Sequence, residues 1–315
     1  MLKKDIEQVI GALIGVAVGD ALGAPVERMS AEAIAATHGR VTQMLGGGWL
    51  KLKPGEITDD TEMTLCVAKA IMQEAQENGK EAPMTKERLR DIGARLGMLF
   101  FDWLDGNPFC GVTCRDVIIY AYNNWFNTDT HPYDAYTDAA YKYHTRSGEK
   151  SGGNGSLMRT VYPGLFYDDM NTACSVAHMQ SRLTHYDPEA AMCCEVYTKM
   201  VYFALRHTID ATKRYIRLQR NVLVSKGFLP TEGKPDGYVK NSLRVLFDAI
   251  LTTNTFTDAV LYAVNLGGDA DTNGPIVGGL AGAMYGINSI PNDWYFALDE
   301  KVLEDLNEAA AHAVI

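Results

Sequence analysis

The stretch Leu266-Gly-Gly-Asp-Ala-Asp-Thr-Asn-Gly-Pro-Ile-Val-Gly-Gly-Leu-Ala-Gly-Ala283 contains two aspartates presented by a glycine-rich loop. Asp269 and Asp271 lie one residue apart, and the hydroxyl of Thr272 follows directly. Pro275 predicts a first helical position, because its missing N–H would have no partner there. The two carboxylates are therefore expected at the N-terminal end of a helix. Acids this close repel each other unless a cation lies between them, and hard divalent cations take carboxylate and hydroxyl oxygens.

Two other interpretations of this loop can be weighed from the residues alone. Asp-x-Asp-x-Asn-Gly also begins the EF-hand calcium loop, which needs a bidentate glutamate at its twelfth position. Counted from Asp269, that position is Leu280, so the EF-hand is excluded. Helix capping stays open for this loop taken alone, since aspartates at a helix start accept backbone N–H bonds and complement the dipole.

A second cluster of oxygen side chains occurs upstream, in Ile57-Thr-Asp-Asp-Thr-Glu-Met-Thr-Leu65. Thr58 or Asp59 is predicted to be the N-cap of a helix, and Asp59 with Glu62 fits a capping box. Capping accounts for one acid but does not explain why Asp59 and Asp60 are adjacent. Two clusters of the same kind favour a metal site over two caps.

Three further segments contain candidate functional residues. Asp20 and Glu27 lie in the turn-forming segment that follows the first predicted helix. The segment 151–159, Ser-Gly-Gly-Asn-Gly-Ser-Leu-Met-Arg, is glycine-rich backbone before a helix, which is typical of a phosphate cradle. A plain turn is the alternative, and a Walker loop is excluded because no Gly-Lys-Ser/Thr follows. His185 lies at a junction between two predicted helices, where histidines are more often structural.

Glycines recur every four residues in two apolar segments, which places them on one face of each helix. They are Gly11, Gly15, Gly19 and Gly23 in the first segment and Gly274, Gly278, Gly282 and Gly286 in the second. A transmembrane pair is the rival interpretation, but the first uncharged run falls short of the ~20 residues that a bilayer needs. The second is interrupted by polar residues and prolines. We therefore expect two helices packed closely in a soluble core, which brings the chain's ends together.

Helical apolar spacing dominates the remaining chain, and alternating strand patterns are nearly absent. The predicted helices cover 5–19, 61–78, 84–104, 112–125, 171–183, 188–206, 208–222, 238–252, 256–264 and 302–313. Residues 126–150 are polar and rich in tyrosine, and are predicted to be a loop with one short helix. The sequence therefore predicts an all-α fold with a single domain over residues 1–315.

Composition limits the class of partner and the compartment. The 315 residues are 47% hydrophobic and 22% charged, which is ordinary for a soluble globular protein, and the formal net charge is −10. This charge argues against nucleic acid or an anionic membrane as a partner. The six cysteines show no CxxC pair and no zinc-like spacing, so we expect reduced thiols in a cytoplasmic protein, which we also expect to be monomeric.

Five segments stand in a fixed order along the chain. They are Gly19-Asp-Ala-Leu-Gly-x-x-x-Glu27, Pro54-Gly-Glu-x-Thr-Asp-Asp-Thr61, Gly153-Asn-Gly-Ser-Leu-Met-Arg159, Ser181-x-x-Thr-His185 and Gly267-Gly-Asp-x-Asp-Thr-x-Gly274. Together they resemble the ADP-ribosylglycohydrolase family, in particular its bacterial dinitrogenase-reductase-activating type, over roughly residues 8 to 290. The resemblance implies a helical domain with a central cleft for two Mg²⁺ ions, with Mn²⁺ as an alternative.

The resemblance also implies roles for individual residues. The implied metal ligands are Thr58, Asp59, Asp60, Asp269, Asp271 and Thr272. Glu27 or a metal-bound aspartate, for which Asp60 is the candidate, would be the catalytic base. The loop that would hold the diphosphate and distal ribose comprises Ser151, Gly152, Gly153, Asn154, Gly155 and Ser156, and His185 would lie close to the ADP-ribose.

The implied function is hydrolysis of the bond between ADP-ribose and a modified protein side chain, arginine first, with release of ADP-ribose. The alternatives are an O-linked or small-molecule ADP-ribosyl substrate, and a catalytically silent ADP-ribose-binding protein. One departure concerns the acceptor: relatives often carry an aspartate where this chain has Phe109 and Cys110. Composition further points to the tyrosines and tryptophan of 120–143 as the acceptor side.

Overall fold

The computed structural model describes residues 4–107 and 110–314, and in this part of the chain it contains helices and isolated β-bridges but no strand. The helices are α1 (Ile6–Gly23), α2 (Ala31–His38), α3 (Asp59–Asn78), α4 (Lys86–Asp105), α5 (Val112–Phe126), α6 (Pro132–Arg146), α7 (Val161–Phe166), α8 (Met170–Arg182), α9 (Pro188–Ala204), α10 (Ile209–Ser225), α11 (Val239–Thr252), α12 (Phe256–Asn265), α13 (Ala270–Tyr285), α14 (Asn292–Tyr295) and α15 (Glu300–Val314). The all-α prediction is confirmed.

Helices α1 and α13 form the centre of the fold, and the two glycine rows face each other. A Cβ added at Gly15 would lie 2.2 Å from the carbonyl oxygen of Gly278, and one at Gly19 would lie 2.3 Å from that of Gly274. Real Cβ atoms do not come this close to backbone, so any larger residue would force the helices apart. The predicted close packing of the two segments is confirmed.

The segment Ile6–Val26 is long and apolar enough to cross a membrane when judged by length and composition. In the structure, 94% of this segment's most apolar window is buried inside the protein. Its neighbours include α13 and α15, so it is packed as a core helix. The ammonium of Lys4, just before α1, donates to the carbonyl oxygen of Ala313 in α15, so the two ends of the described chain meet.

Three predictions about helix boundaries were wrong. Asp20 does not lie in a turn after the first helix, because α1 continues to Gly23. Residues 126–150 are mostly helical, because α6 spans Pro132–Arg146 and buries small and aromatic side chains such as Ala139 and Tyr136. Pro275 does not begin α13; it lies inside this helix, which starts five residues earlier at Ala270. A proline there removes the N–H that would bond to the carbonyl of Asp271.

Candidate active site

The start of α3 is held by a carboxylate from another helix. The two oxygens of Asp20, on α1, accept bonds from the backbone N–H and the hydroxyl of Thr58 at 3.0 and 2.8 Å. Asp20 also accepts from the N–H and the hydroxyl of Thr61 at 3.1 and 2.5 Å. Asp20 therefore satisfies first-turn donors that a local cap would otherwise satisfy. Sequence reasoning noted this aspartate but gave it no role.

Because Asp20 accepts from these N–H groups, the acidic side chains of α3 are not needed to cap the helix. Thr58, one of the two residues predicted for the N-cap, occupies that position, yet its side chain makes no cap bond. Oδ1 of buried Asp60 has no hydrogen-bond partner. The predicted capping box is wrong, because Glu62 accepts from the indole N–H of Trp103 at 2.7 Å and from the amide of Asn107.

The second acidic loop is fixed by close backbone approach. Gly268 has a φ of +68°, and a Cβ there would lie 2.1 Å from the carbonyl oxygen of Pro235. The Arg28 N–H donates to the Gly268 carbonyl and the Gly268 N–H donates to the Met29 carbonyl, both at 2.7 Å. This pair of bonds ties the loop before Asp269 to the segment that follows Glu27.

Asp269 occupies the N-cap position of α13, but its carboxylate does not cap the helix. It accepts instead from the side-chain amide of Asn154, at 2.5 Å, in the glycine-rich loop. Carboxylate oxygens of Glu27, Asp269 and Asp271 lie within 4.8 Å of one another. Asp59 and Asp60 line the same cleft. The structure thus gathers the five acids that the sequence singled out, and Asp20 lies directly behind them.

Burial raises the pKa of each of these aspartates, because the surrounding protein replaces the water that would solvate a carboxylate. It raises the pKa of Asp59 to about 8 and that of Asp269 to about 6. The pKa values of Asp60 and Asp271 are raised well above the usual range, and neighbouring carboxylates add to the effect of burial. The cluster is costly to ionise unless positive charge is supplied.

A hard divalent cation fits this donor set. The residues offer carboxylate and hydroxyl oxygens in one cleft, and the Oδ1 of Asp60 is buried without a partner. Thr272 lines the cleft beside Asp271, whereas the hydroxyl of Thr58 is occupied by Asp20. A ligand role for Thr58 would therefore require its hydroxyl to bind a cation while donating its proton to Asp20.

The glycine-rich loop lies against His185. Gly153, Asn154, Gly155 and His185 line the cleft, and a Cβ at Gly155 would lie 3.1 Å from Cε1 of the imidazole. Glycine at this position therefore lets the loop pack on the histidine ring. Gly152 faces the other side of the loop, where Gly153 and Tyr238 line a second cavity of about 500 Å³.

Ser151 and Ser156 face away from the cleft. The Ser151 hydroxyl lies 2.6 Å from Nδ1 of His144, and the Ser156 hydroxyl lies 2.9 Å from that of Ser181. These serines hold the two ends of the loop. Their hydroxyls therefore have partners within the protein, and only their backbone groups are still predicted to bind substrate.

A buried chain of polar groups orients His185. The guanidinium of Arg159 donates to the Thr184 hydroxyl at 2.7 Å, and that hydroxyl lies 2.9 Å from Nδ1 of His185. While its oxygen accepts from Arg159, the hydroxyl can donate to Nδ1, and in that arrangement the proton of a neutral imidazole is on Nε2. Burial and the nearby Arg159 charge lower the pKa of His185 to about 3, so the ring is neutral near pH 7.

The rim of the cleft contains two residues that sequence reasoning missed. Arg28 and Trp49 both line it, and among the described lining residues Arg28 is the one with a permanent positive charge. No aromatic residue of 120–143 is among the described lining residues. Phe109 lies outside the described residues, while Cys110 is buried beside the cleft. The three glycines 46–48 directly before Trp49 were the sequence feature that could have indicated a functional loop here.

Comparison with known proteins identifies the family of this chain. The family model for ADP-ribosylglycohydrolase matches residues 1–315. The chain belongs to the ADP-ribosylglycohydrolase family. A solved structure described as an ADP-ribosylglycohydrolase-related protein complex shares the fold of this family member, with a TM-score of 0.75 and 29% identity. That match covers 98% of this chain and 97% of the other.

Two proteins similar to this family member come from bacteria. ADP-ribosyl-[dinitrogen reductase] glycohydrolase of Rhodospirillum rubrum is 32% identical, covering 95% of this chain and 93% of the relative. ADP-ribosylarginine hydrolase Tri1 of Serratia proteamaculans is 28% identical, covering 96% and 77% respectively. The present ADP-ribosylglycohydrolase family member is accordingly a hydrolase.

Proposed function

We propose that this hydrolase cleaves the glycosidic bond between ADP-ribose and an arginine side chain of a modified protein, and that it uses two Mg²⁺ ions. The observation that carries the proposal is the convergence of uncapped acids from α3 and α13 beside the glycine-rich loop. The names of the two bacterial relatives, one acting on an ADP-ribosylated protein and one on ADP-ribosylarginine, support arginine as the acceptor.

The residues that would hold the ions are those of the two acidic loops. They are Thr58, Asp59, Asp60, Asp269, Asp271 and Thr272. Divalent ions held there would supply a Lewis acid, which polarises oxygen atoms and makes water a stronger nucleophile. Mn²⁺ would satisfy the same oxygen donors.

The chain's own groups would do the remaining work. Glu27 has an oxygen within reach of Asp269 and Asp271, so its carboxylate can take the proton of the attacking water, and Asp60 is the alternative base. Departure of the side chain passes through an oxocarbenium-like state, which the surrounding carboxylates stabilise electrostatically.

The ADP-ribose would extend from these acids along the glycine-rich loop. Backbone groups of Gly152, Gly153 and Gly155 can approach the diphosphate closely, because no side chain intervenes. The Nε2–H of neutral His185 adds a donor beside Gly153. The cavity next to Tyr238 provides space for the distal part of the ligand.

We further propose that the protein acts as a cytoplasmic monomer on a protein substrate, and that it binds neither nucleic acid nor a membrane. Its negative net charge and its cysteine spacing support these points. ADP-ribose would be the product.

The test is release of ADP-ribose from proteins modified separately on arginine and on serine, with Mg²⁺ and with EDTA. We expect release from arginine that depends on Mg²⁺ and is lost in EDTA. Release from serine alone, or from a small ADP-ribosyl substrate alone, would overturn the arginine assignment. Binding of ADP-ribose without release from any substrate would overturn the hydrolase mechanism.

A further inference from the structure

An arginine, a tryptophan and a glutamate meet at the rim of the cleft. The indole N–H of Trp49 donates to Oε2 of Glu27, and the Nε–H of Arg28 donates to Oε1 of Glu27 at 3.2 Å. The guanidinium carbon of Arg28 lies 4.0 Å from the centre of the Trp49 ring. One guanidinium therefore stacks on an aromatic face and bonds to a carboxylate, which is how proteins recognise this group.

Backbone contacts hold the three residues in place. Arg28 has a φ of +69°, which is unusual for a residue with a side chain, and the bond from its N–H to the Gly268 carbonyl maintains this conformation. Trp49 follows Gly48, where a Cβ would lie 2.9 Å from the carbonyl oxygen of Ala24. Tertiary contacts therefore impose this arrangement, and such backbone strain is concentrated at functional sites.

Glu27 and Arg28 differ in how firmly the protein holds their side chains. The Glu27 side chain is 12% exposed, and its carboxylate lies within 4.8 Å of oxygens of Asp269 and Asp271. The Arg28 side chain is 66% exposed. The carboxylate is thus part of the cleft wall, whereas the arginine can move into solvent without breaking buried contacts.

We infer that Glu27 and the face of Trp49 form the subsite for the guanidinium of the acceptor, and that Arg28 occupies this subsite until substrate displaces it. This inference rests on the proposed function and names the residues that select an arginine acceptor. A serine-linked substrate offers neither a positive charge nor a planar group, so it gains nothing from the Trp49 face.

The subsite also accounts for the protons in the reaction. Water adds its oxygen to the anomeric carbon, and the bond from that carbon to the guanidine nitrogen breaks with its electron pair on nitrogen. The proton that Glu27 takes from the water passes to this nitrogen. The products are ADP-ribose and an unmodified arginine, which leaves as a guanidinium on the Trp49 ring.

The first experiment uses the metal-loaded enzyme, an arginine-linked and a serine-linked substrate, and agmatine, a small free guanidine. We expect agmatine to inhibit competitively. Trp49→Leu should raise both the inhibition constant of agmatine and the KM for the arginine-linked substrate by about tenfold, a loss between those of an exposed and a desolvated cation–π contact. Trp49→Phe keeps an aromatic face without the N–H, and should restore most of this loss. Phe126→Leu changes an exposed aromatic residue outside the cleft lining and is the control.

The second experiment removes the internal occupant. Arg28→Asn deletes the guanidinium while keeping a residue type that tolerates positive φ. We expect agmatine to bind more tightly by about threefold to tenfold, since it no longer competes with Arg28. Lys51→Asn is the matched control, because Lys51 is an exposed basic residue with a φ of +58° outside the cleft lining. Quenching of intrinsic tryptophan fluorescence by agmatine reports binding independently of turnover.

Three outcomes would overturn the inference. They are absence of agmatine binding at millimolar concentration, an equal rise in KM for both substrates in Trp49→Leu, and weaker binding of both substrates in Arg28→Asn. The last would mean that Arg28 holds the ADP-ribose itself. Failure of the wild-type enzyme on the arginine-linked substrate, with agmatine still quenching fluorescence, would instead contradict the proposed function and leave the guanidinium subsite standing.

Discussion

Two groups of helix starts in this protein use the same residue types for different purposes. Helices α4, α8 and α12 begin after Thr85, Asp169 and Thr255, and each of these side chains accepts a first-turn N–H. Helices α3 and α13 begin after Thr58 and Asp269, whose side chains cap nothing. An aspartate or threonine before a helix is therefore a cap only when no other part of the fold uses its oxygens.

The difference has a physical cause in each case. At α3 the buried carboxylate of Asp20 satisfies the N–H groups of Thr58 and Thr61 from another helix. At α13 the Asn154 amide draws the Asp269 carboxylate towards the glycine-rich loop. At these two helix starts the acids that do not cap converge on one cleft. Such a cluster is unfavourable for stability without a bound cation.

The largest expected effect comes from removing the charge of an acid at the start of α13 that does not cap the helix. Asp271→Asn should lower the rate of hydrolysis by more than about a hundredfold. Loss of a residue that only hydrogen-bonds to a metal ligand costs up to about a hundredfold, and loss of a direct ligand should cost more. Asp271→Asn should also stabilise the metal-free protein, since a buried carboxylate is replaced by a neutral amide. Initial rates and chemical denaturation in EDTA measure the two effects. The control Asp169→Asn should leave the rate unchanged; an unaffected rate in Asp271→Asn would contradict the metal site.

Metal binding itself should separate the two groups of helix starts. Addition of Mg²⁺ should raise the unfolding temperature of the wild-type protein, by an amount equivalent to about 2.7 kcal/mol at a free concentration one hundred times Kd. Asp60→Asn should abolish this rise, and Thr85→Ala should retain it in full. Differential scanning calorimetry at several Mg²⁺ concentrations is the measurement. A rise of equal size in both variants would place the bound ion elsewhere.

Removal of a side chain that does cap a helix should lower folding stability and leave the rate of hydrolysis unchanged. Thr85→Ala deletes the hydroxyl that accepts from the Arg88 N–H at 3.2 Å, and should cost about 1 kcal/mol of folding stability. The rate of hydrolysis should not change, because α4 contributes no described residue to the cleft lining. Urea denaturation and an activity assay on the same preparation test this prediction. A loss of activity without a loss of stability would show that the distinction between caps and site residues is wrong.

The smallest expected effect is on how folding stability depends on pH in acidic solution. Bonds from the N–H and hydroxyl of Thr172 lower the pKa of Asp169 below its usual value of 3.8. A carboxylate whose pKa falls on folding contributes stability above its unfolded pKa and loses it as pH falls through the folded pKa. The stability difference between wild type and Asp169→Asn should therefore be constant above about pH 5 and shrink as pH falls through 3.8 towards the lowered pKa of the folded protein. A difference that stays constant with pH would contradict an ionised cap.

The sequence predicted correctly those features that depend on residue spacing within one segment. The four-residue glycine spacing predicted that α1 and α13 approach closely, and the structure places Gly15 against Gly278. The acidic clusters predicted which oxygens would converge, and Thr58, one of the two residues predicted for the N-cap of α3, occupies that position. Residues 126–150 were misjudged because α6 is polar and buries small alanines, which give a weak hydrophobic period.

What the sequence by itself determined is the helical class, the close pairing of two glycine-bearing helices and the identity of the clustered acids. Each follows from residue type and spacing along one segment. Only the tertiary structure decided that Asp20 caps α3 from a distance, that Asp269 bonds to Asn154, and that Trp49 meets Glu27 and Arg28 at the rim. These contacts join residues far apart in the chain, so their energies depend on how the helices pack, which no local pattern of side chains contains.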